Sequence, residues 1–205
     1  MKKPLALTWL CCSCLFAGCG LWNGAFGSRT VLYEHFESQG DWSLVAEKNV
    51  GIDGEDDALA QIHSGVLTLV ASQHFGCPEA NAVLDLEIAI PEIVADSWAF
   101  RAEIIGSEIT ALGSISLEFE STNSDVEIQL SEFVGTDGLA DCMLTLKYRE
   151  HKNQLLVVID GAAVDTKNLT PLGRLMSIGI FTRACGADGF AFAHIQLDSV
   201  RLTAY

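Results

Sequence analysis

The sequence predicts an all-β protein, an antiparallel two-sheet sandwich, behind a short N-terminal leader. Apolar residues recur with a period of two from Thr30 onward, not with the helical period of about 3.6. Turn signals, four of them Asp-Gly pairs, separate nearly all of the apolar runs. The runs are short and numerous, show no repeat of fixed period, and leave room for only one turn of helix, at Glu92–Asp96. A chain of 205 residues holds one ordinary domain plus a leader.

The leader comes first. It opens MKKP and continues as an apolar stretch from Leu5 to about Ala17. Spanning a bilayer takes about 20 apolar residues, whereas a secretion signal carries roughly 7–15 followed by small residues at the cut. Ala17 and Gly18 are small, and Cys19 follows them directly. This segment resembles the lipobox of bacterial lipoproteins, with Phe16 where that family has an aliphatic residue. The resemblance implies a signal peptide over 1–18, lipid attachment at Cys19, and a lipidated tether over 19–29 that includes LWNGAFGS. The alternative is an ordinary secretory leader cleaved elsewhere, with Cys19 incidental. Acyl chains on Cys19 would hold the membrane with about 0.8 kcal/mol per buried CH₂. Gly20, where Asp would retain a lipoprotein at the inner membrane, implies the outer membrane or cell surface.

Charge narrows the partners. The chain carries 27 acidic and 12 basic residues, and loss of Lys2 and Lys3 with the leader leaves 10 basic residues and a net charge of −17. Such a body repels nucleic acid and gains nothing from anionic lipid headgroups. Membrane attachment therefore falls to the lipid on Cys19.

In the body, 30–205, strands are predicted at Val31–Phe36, Asp41–Ala46, Gly65–Ala71, Val83–Ile90 and from Trp98 to Ile104. Ser114–Glu120 and Val126–Leu130 alternate cleanly, Ile115, Leu117, Phe119, Val126 and Ile128 inward against Ser116, Glu118, Glu120, Glu127 and Gln129 outward. Further strands are predicted at Cys142–Arg149, Leu155–Ile159, Met176–Arg183 and Ala191–Ala204. Turns are predicted at Asp53-Gly54, Asp137-Gly138, Asp160-Gly161 and Asp188-Gly189, with His151-Lys152-Asn153 closing a hairpin. In the last strand Ile195 and Leu197 share one parity and Val200 and Leu202 the other, so a β-bulge is predicted near Asp198-Ser199.

The opening VLYEHFES and DW, the HSGVLTL strand, the hairpin ending VVIDG, the LMSIGIF strand and the closing HIQLDSVRLTAY together resemble the concanavalin A-like lectin and glucanase jelly roll. The resemblance covers about Thr30 to Tyr205 and speaks to fold far more than to function. In that strand order the last strand lies antiparallel to Gly65–Ala71. This brings HFGCPEAN near RACGADG and implies a Cys77–Cys185 disulfide, as an oxidising compartment allows. Three reduced, buried cysteines are the alternative; Cys142 reads as a buried thiol in either case. No metal is expected from Cys or His spacing. Related jelly rolls hold a structural calcium, for which Glu34, Glu37 and Asp198 would supply oxygen ligands.

For chemistry, Glu127-Ile128-Gln129-Leu130-Ser131-Glu132 resembles the EIDxxE signature of laminarinase-like glucanases, in which two glutamates act as nucleophile and acid/base. Retaining hydrolysis needs carboxyls about 5–5.5 Å apart, which a bulge placing Glu132 on the face of Glu127 would supply. Gln129 stands where that signature has its aspartate, and an amide cannot tune a proton between two carboxylates. A solvated strand face is the simpler reading. The histidines are dispersed, and neither a GxSxG elbow nor a phosphate loop occurs. For sugar stacking, Trp42 and Trp98 have inward parity, which leaves His74 and Phe75 as the ligand-binding candidates. The leading expectation is a non-catalytic domain that binds a glycan or another envelope component. A hydrolase using Glu127 and Glu132, and an assembly scaffold, are the alternatives.

Overall fold

The computed structural model describes residues 28–47, 57–73, 76–86, 97–133, 140–185 and 190–205. In chain order its strands are β1 Arg29–Glu34, β2 Trp42–Glu47, β3 Asp57–His63, β4 Val66–Gln73, β5 Glu79–Asp85, β6 Trp98–Ile109 and β7 Gly113–Ser121. Then come β8 Val126–Gln129, β9 Cys142–Arg149, β10 Gln154–Ile159, β11 Ala162–Asn168, β12 Leu175–Ala184 and β13 Ala191–Ala204. One sheet runs β11-β10-β9-β6-β13-β4-β3, with β1 also on β13; the other runs β2-β5-β12-β7-β8. Every pairing is antiparallel, and the two sheets form the sandwich that the alternation predicts, in the jelly-roll arrangement that the resemblance implies.

The two sheets meet through aromatic rings. Trp98 of β6 stacks on Phe119 of β7 with centroids 4.9 Å apart, Phe100 meets the same ring edge-on at 5.5 Å, and Tyr148 of β9 lies 5.8 Å from Trp98. All four are fully buried. The Tyr148 hydroxyl accepts the Leu172 N–H at 3.1 Å, whereas the buried Trp98 indole N–H has no hydrogen-bond partner among the described residues. Ile115, Leu117, Ile128, Ile178 and Ile180 extend the same layer, and Trp42 also points inward.

β13 holds the larger sheet together, with β4 on one flank and β6 on the other. Against β6, Leu197 faces Ile104 and Ser199 faces Glu103, which leaves Asp198 as an inserted residue. Ile195 and Leu197 before it, and Val200 and Leu202 after it, are therefore all buried despite their opposite parity. Asp160 (φ 50°) and Gly161 (φ 82°) both take the left-handed conformation and close β10 onto β11 in a tight turn. Asn153 (φ 48°) does the same after the single 3-10 turn Glu150–Lys152. The turns expected at Asp53-Gly54, Asp137-Gly138 and Asp188-Gly189, and the helical turn at Glu92–Asp96, lie outside the described residues.

Several boundaries differ from those read in the sequence. β1 stops at Glu34, because Phe36 adopts φ 54° and turns its ring inward onto Trp42, 5.7 Å away. β5 begins at Glu79 instead of Val83; its inward residues there are Ala80 and Ala82, which carry a weak apolar signal but are fully buried. β3 and β11 are strands that the sequence reading passed over. Each is an edge strand that pairs on one side only, and β11 is mostly exposed. Ala99, on the outward parity, is nevertheless buried between its neighbours Lys147 and Thr203.

Cys77 and Cys185 are joined by a disulfide, with Cα atoms 4.5 Å apart. The pairing that brings them together is β5 with β12: Glu79 faces Arg183, and the Ala184 N–H donates to Pro78 O, so the two cysteines continue the ladder by one step. Cys142 is a free thiol at the start of β9; burial, together with Asp160 and Asp141 nearby, pushes its pKa up. The bridge spans 108 residues, so it removes many unfolded conformations. The double variant Cys77→Ser/Cys185→Ser should lose about 2–5 kcal/mol of unfolding free energy, the usual range for such a bridge. Urea denaturation of the oxidised wild type beside the variant measures it, and a change below about 0.5 kcal/mol would show the bridge to be dispensable.

Candidate functional site

The inward turn of Phe119 dictates what its neighbours do. Successive side chains on a strand point to opposite faces, so Glu118 and Glu120 must stand on the outside of the five-stranded sheet. The register places Glu118 opposite Glu127 of β8 on one side and Gly179 of β12 on the other. Val83 of β5 continues that row, and Ser177 and Phe181 flank Gly179 along β12. These residues line a cleft of about 410 Å³ on the outer face of the smaller sheet, with Asp125 at its rim.

Gly179 makes the floor possible. A Cβ there would lie 2.3 Å from Cε2 of Phe181, so the missing side chain lets the phenylalanine ring lie back across the strand. The Arg183 guanidinium stands 5.1 Å from the centroid of that ring. Arg183 then meets three carboxylates. Its Nε donates to Glu79 Oε2 at 2.6 Å, its Nη2 donates to Glu118 Oε1 at 3.1 Å, and its Nη1 lies 3.8 Å from Glu127 Oε1. Glu127 also accepts a hydrogen bond from the Gln129 side-chain amide, and Glu120 accepts one from the Ser177 hydroxyl at 3.0 Å.

The ionisation of this group is uneven. Burial alone would lower the Arg183 pKa, but hydrogen bonding to Glu79 and attraction from Glu79 and Glu118 outweigh it and raise the value. The Glu118 pKa is also raised: burial leads, Glu127 and Glu79 add to it, and attraction to Arg183 opposes it without prevailing. An isolated ion pair would move its two members in opposite directions. Here one guanidinium is shared by three carboxylates, so Glu118 receives a fraction of the cation and the full repulsion of its neighbours.

The sequence-derived candidates are placed as follows. Glu127 lines the cleft. Glu132 does not join it there: β8 pairs with β7 in regular register only as far as Gln129, and the chain then enters a 3-10 turn over Leu130–Glu132. The bulge that would put both glutamates on one face is absent, and Glu132 bonds Lys167 of β11 at 3.2 Å. Glu34 accepts the Phe36 N–H at 3.0 Å, and among the described residues no three His, Cys, Asp or Glu gather as a metal site would require, so Glu34, Glu37 and Asp198 do not converge. Cys19, His74 and Phe75 lie outside the described residues. β4 ends at Gln73, opposite Ala191, close to the half-exposed Phe190 and to Phe192, whose rings stack 6.2 Å apart. Among the described residues no helix is long and apolar enough to cross a membrane.

Phe181, Arg183 and Glu118 were passed over in the sequence because each sits in a strand that reads as ordinary sandwich, and Glu79 because the strand that holds it was read as starting at Val83. The available signal was Gly179 inside the apolar run LMSIGIF, since a glycine within a strand marks a close approach.

With this geometry in place, comparison with solved structures decides the fold. The chain is similar to the Emp47p carbohydrate recognition domain, with a TM-score of 0.52 and 10% identity over 83% of this chain and 93% of that one. It is also similar to the kappa-carrageenase of Pseudoalteromonas carrageenovora, solved with an oligotetrasaccharide of kappa-carrageenan, at 0.51 and 11% over 92% and 99% of the two chains. The fold is the lectin-type jelly roll. A sialidase matches at 0.53 and 10%, covering 80% of this chain but 17% of that longer one. In sequence, no family model and no curated protein matches the chain.

Raised Glu118 gives a pH signature. Its folded pKa lies above the ordinary 4.5, so the folded state holds this proton more tightly than the unfolded chain does. Its contribution therefore opposes folding above the folded pKa and fades as pH falls toward 4.5. The unfolding free energy of wild type relative to Glu118→Gln should shift in favour of wild type as pH is lowered through that window. Chemical denaturation at a series of pH values measures this, and a shift of the opposite sign would mean that Arg183 dominates Glu118.

Proposed function

We propose that this chain is an exported lipoprotein, held at the outer membrane or cell surface by lipid on Cys19, whose jelly-roll domain binds a saccharide in the Phe181 cleft without hydrolysing it. The observation that carries the binding reading is the cleft itself. An aromatic ring lies in a concavity of about 410 Å³ whose walls present the carboxylates of Glu118, Glu120 and Glu127 and the hydroxyl of Ser177. Rings pack on the apolar faces of pyranoses, and carboxylates accept hydrogen bonds from sugar hydroxyls. Few polar groups converging in a concave, partly apolar site is the usual build of a small-ligand pocket. The likeness to the Emp47p carbohydrate recognition domain agrees with this reading.

Binding without hydrolysis is favoured by how the carboxylates are held. A retaining glycosidase needs one carboxylic acid free to donate its proton and a second carboxylate free to attack. Glu118 and Glu127 both face the same guanidinium, Glu127 is further bonded by Gln129, and Glu132 is paired with Lys167 away from them.

A glycan array probed with the detergent-extracted full chain tests the cleft. Wild type should bind a restricted set of glycans and Phe181→Ala should bind them at least about tenfold more weakly, the loss of one stacking contact of about 1.4 kcal/mol. An array without hits would remove the reading, and release of shorter sugars from a bound glycan would make the protein an enzyme. Intact-mass measurement of the membrane-extracted chain tests the anchor separately. The mature protein should begin at a diacylglycerol-modified Cys19, and a mass showing an unmodified cysteine or cleavage elsewhere would exclude the lipid.

A further inference from the structure

We propose that the saccharide taken by this cleft bears free amino groups, so that its ligand class is a cationic amino-sugar oligosaccharide and not a sulfated or carboxylated one. The inference rests on the saccharide reading of the cleft and adds the charge its ligand must carry.

Four carboxylates line the cleft, those of Glu118, Glu120, Asp125 and Glu127, and among the described residues no lysine, arginine or histidine does. The nearest guanidinium, Arg183, is turned toward protein carboxylates: Nε and Nη2 are committed to Glu79 and Glu118, and Nη1 faces Glu127. Two of its five N–H donors are bonded to Glu79 and Glu118 and Nη1 faces Glu127, so a sulfate or a sugar carboxylate would have to compete with three protein carboxylates for this guanidinium. An anionic saccharide would meet an excess of like charge in a partly desolvated cleft, with Arg183 offsetting only part of it.

A cation meets the reverse situation. Glu120 is bonded to the Ser177 hydroxyl, and Asp125 accepts the Ser121 N–H at 3.4 Å. These are bonds to neutral groups, which leave oxygen lone pairs unused on both carboxylates. An ammonium carries three donors and can bond two or three such oxygens at once, each bond charge-assisted. The Phe181 ring beside them, which also meets the Arg183 guanidinium, offers apolar surface to the C–H face of the pyranose. The whole chain, at −15, draws cations toward the surface and repels anions. Burial leads in raising the Glu118 pKa, and repulsion from Glu127 and Glu79 adds to it.

Isothermal titration of the detergent-extracted full chain at pH 6 tests the proposal, with a glucosamine trimer, an N-acetylglucosamine trimer, a sulfated disaccharide and trilysine as probes. The glucosamine trimer should bind at least about tenfold more tightly than its N-acetylated form, since acetylation removes charge and donors together. That preference should shrink as salt rises and should fall severalfold in Glu120→Gln, which removes a cleft charge without releasing Arg183. The sulfated disaccharide should not bind.

Equal or tighter binding of the N-acetylated trimer would overturn the amine preference while leaving the saccharide reading intact. Trilysine binding as tightly as the glucosamine trimer, with Glu120→Gln without effect on either, would reduce the preference to general attraction by an acidic surface and also overturn it. If neither trimer binds, the amine proposal fails, and the glycan array then decides the saccharide reading on its own.

Discussion

The stack of Trp98 on Phe119 joins the two sheets and at the same time builds the outer face. Phe119 cannot bring its ring to 4.9 Å from Trp98 without turning Glu118 and Glu120 outward, because the pleat allows no other choice. The same alternation in β8 buries Val126 and Ile128 and turns Glu127 and Gln129 outward; in β12 it buries Ile178 and Ile180 and puts Gly179, Phe181 and Arg183 on the outer face, where the Phe181 ring covers Gly179. Core and cleft are therefore two sides of one set of strands. A slip of one residue in β7 would bury two glutamates and expose Phe119, which is why the register here is so strongly specified.

On that outer face the controlling quantity is charge. One guanidinium serves Glu79, Glu118 and Glu127, and the sharing leaves a net negative cluster that is partly withdrawn from water. Exposed ion pairs of this kind add little to stability, since solvent screens them and side-chain entropy opposes them. What they do is fix positions. Arg183 reaches along Phe181 to Glu118 and Glu127, and the ring lies back over Gly179, so the wall and floor of the cleft are set by contacts within the face.

The parts of the fold legible in the sequence were those with strong contrast between the two parities. Ser114–Glu120 and the Asp198 bulge could be read because large apolar residues alternate with charged ones, and a change of phase is visible against such a background. β11 was not legible because an edge strand draws its order from the hydrogen-bond ladder of β10, which needs no apolar pattern of its own. The start of β5 was hidden by Ala80 and Ala82, whose small side chains are buried without announcing it. The Cys77–Cys185 bridge followed from strand order, although the pairing that brings the cysteines together is that of β5 with β12.

The sequence by itself determined the apolar stretch that ends at Cys19, the acidic balance and the two-sheet alternation, because each depends on residue type and local spacing. It also singled out Glu127, but it joined that residue to Glu132, a neighbour along the chain. Only the tertiary structure decided that Glu127 belongs with Glu118, Phe181 and Arg183, which lie on two other strands and come together through register. Strand pairing sets such distances, and sequence separation does not report them; a site assembled across β12, β7 and β8 becomes visible only once those strands are laid side by side.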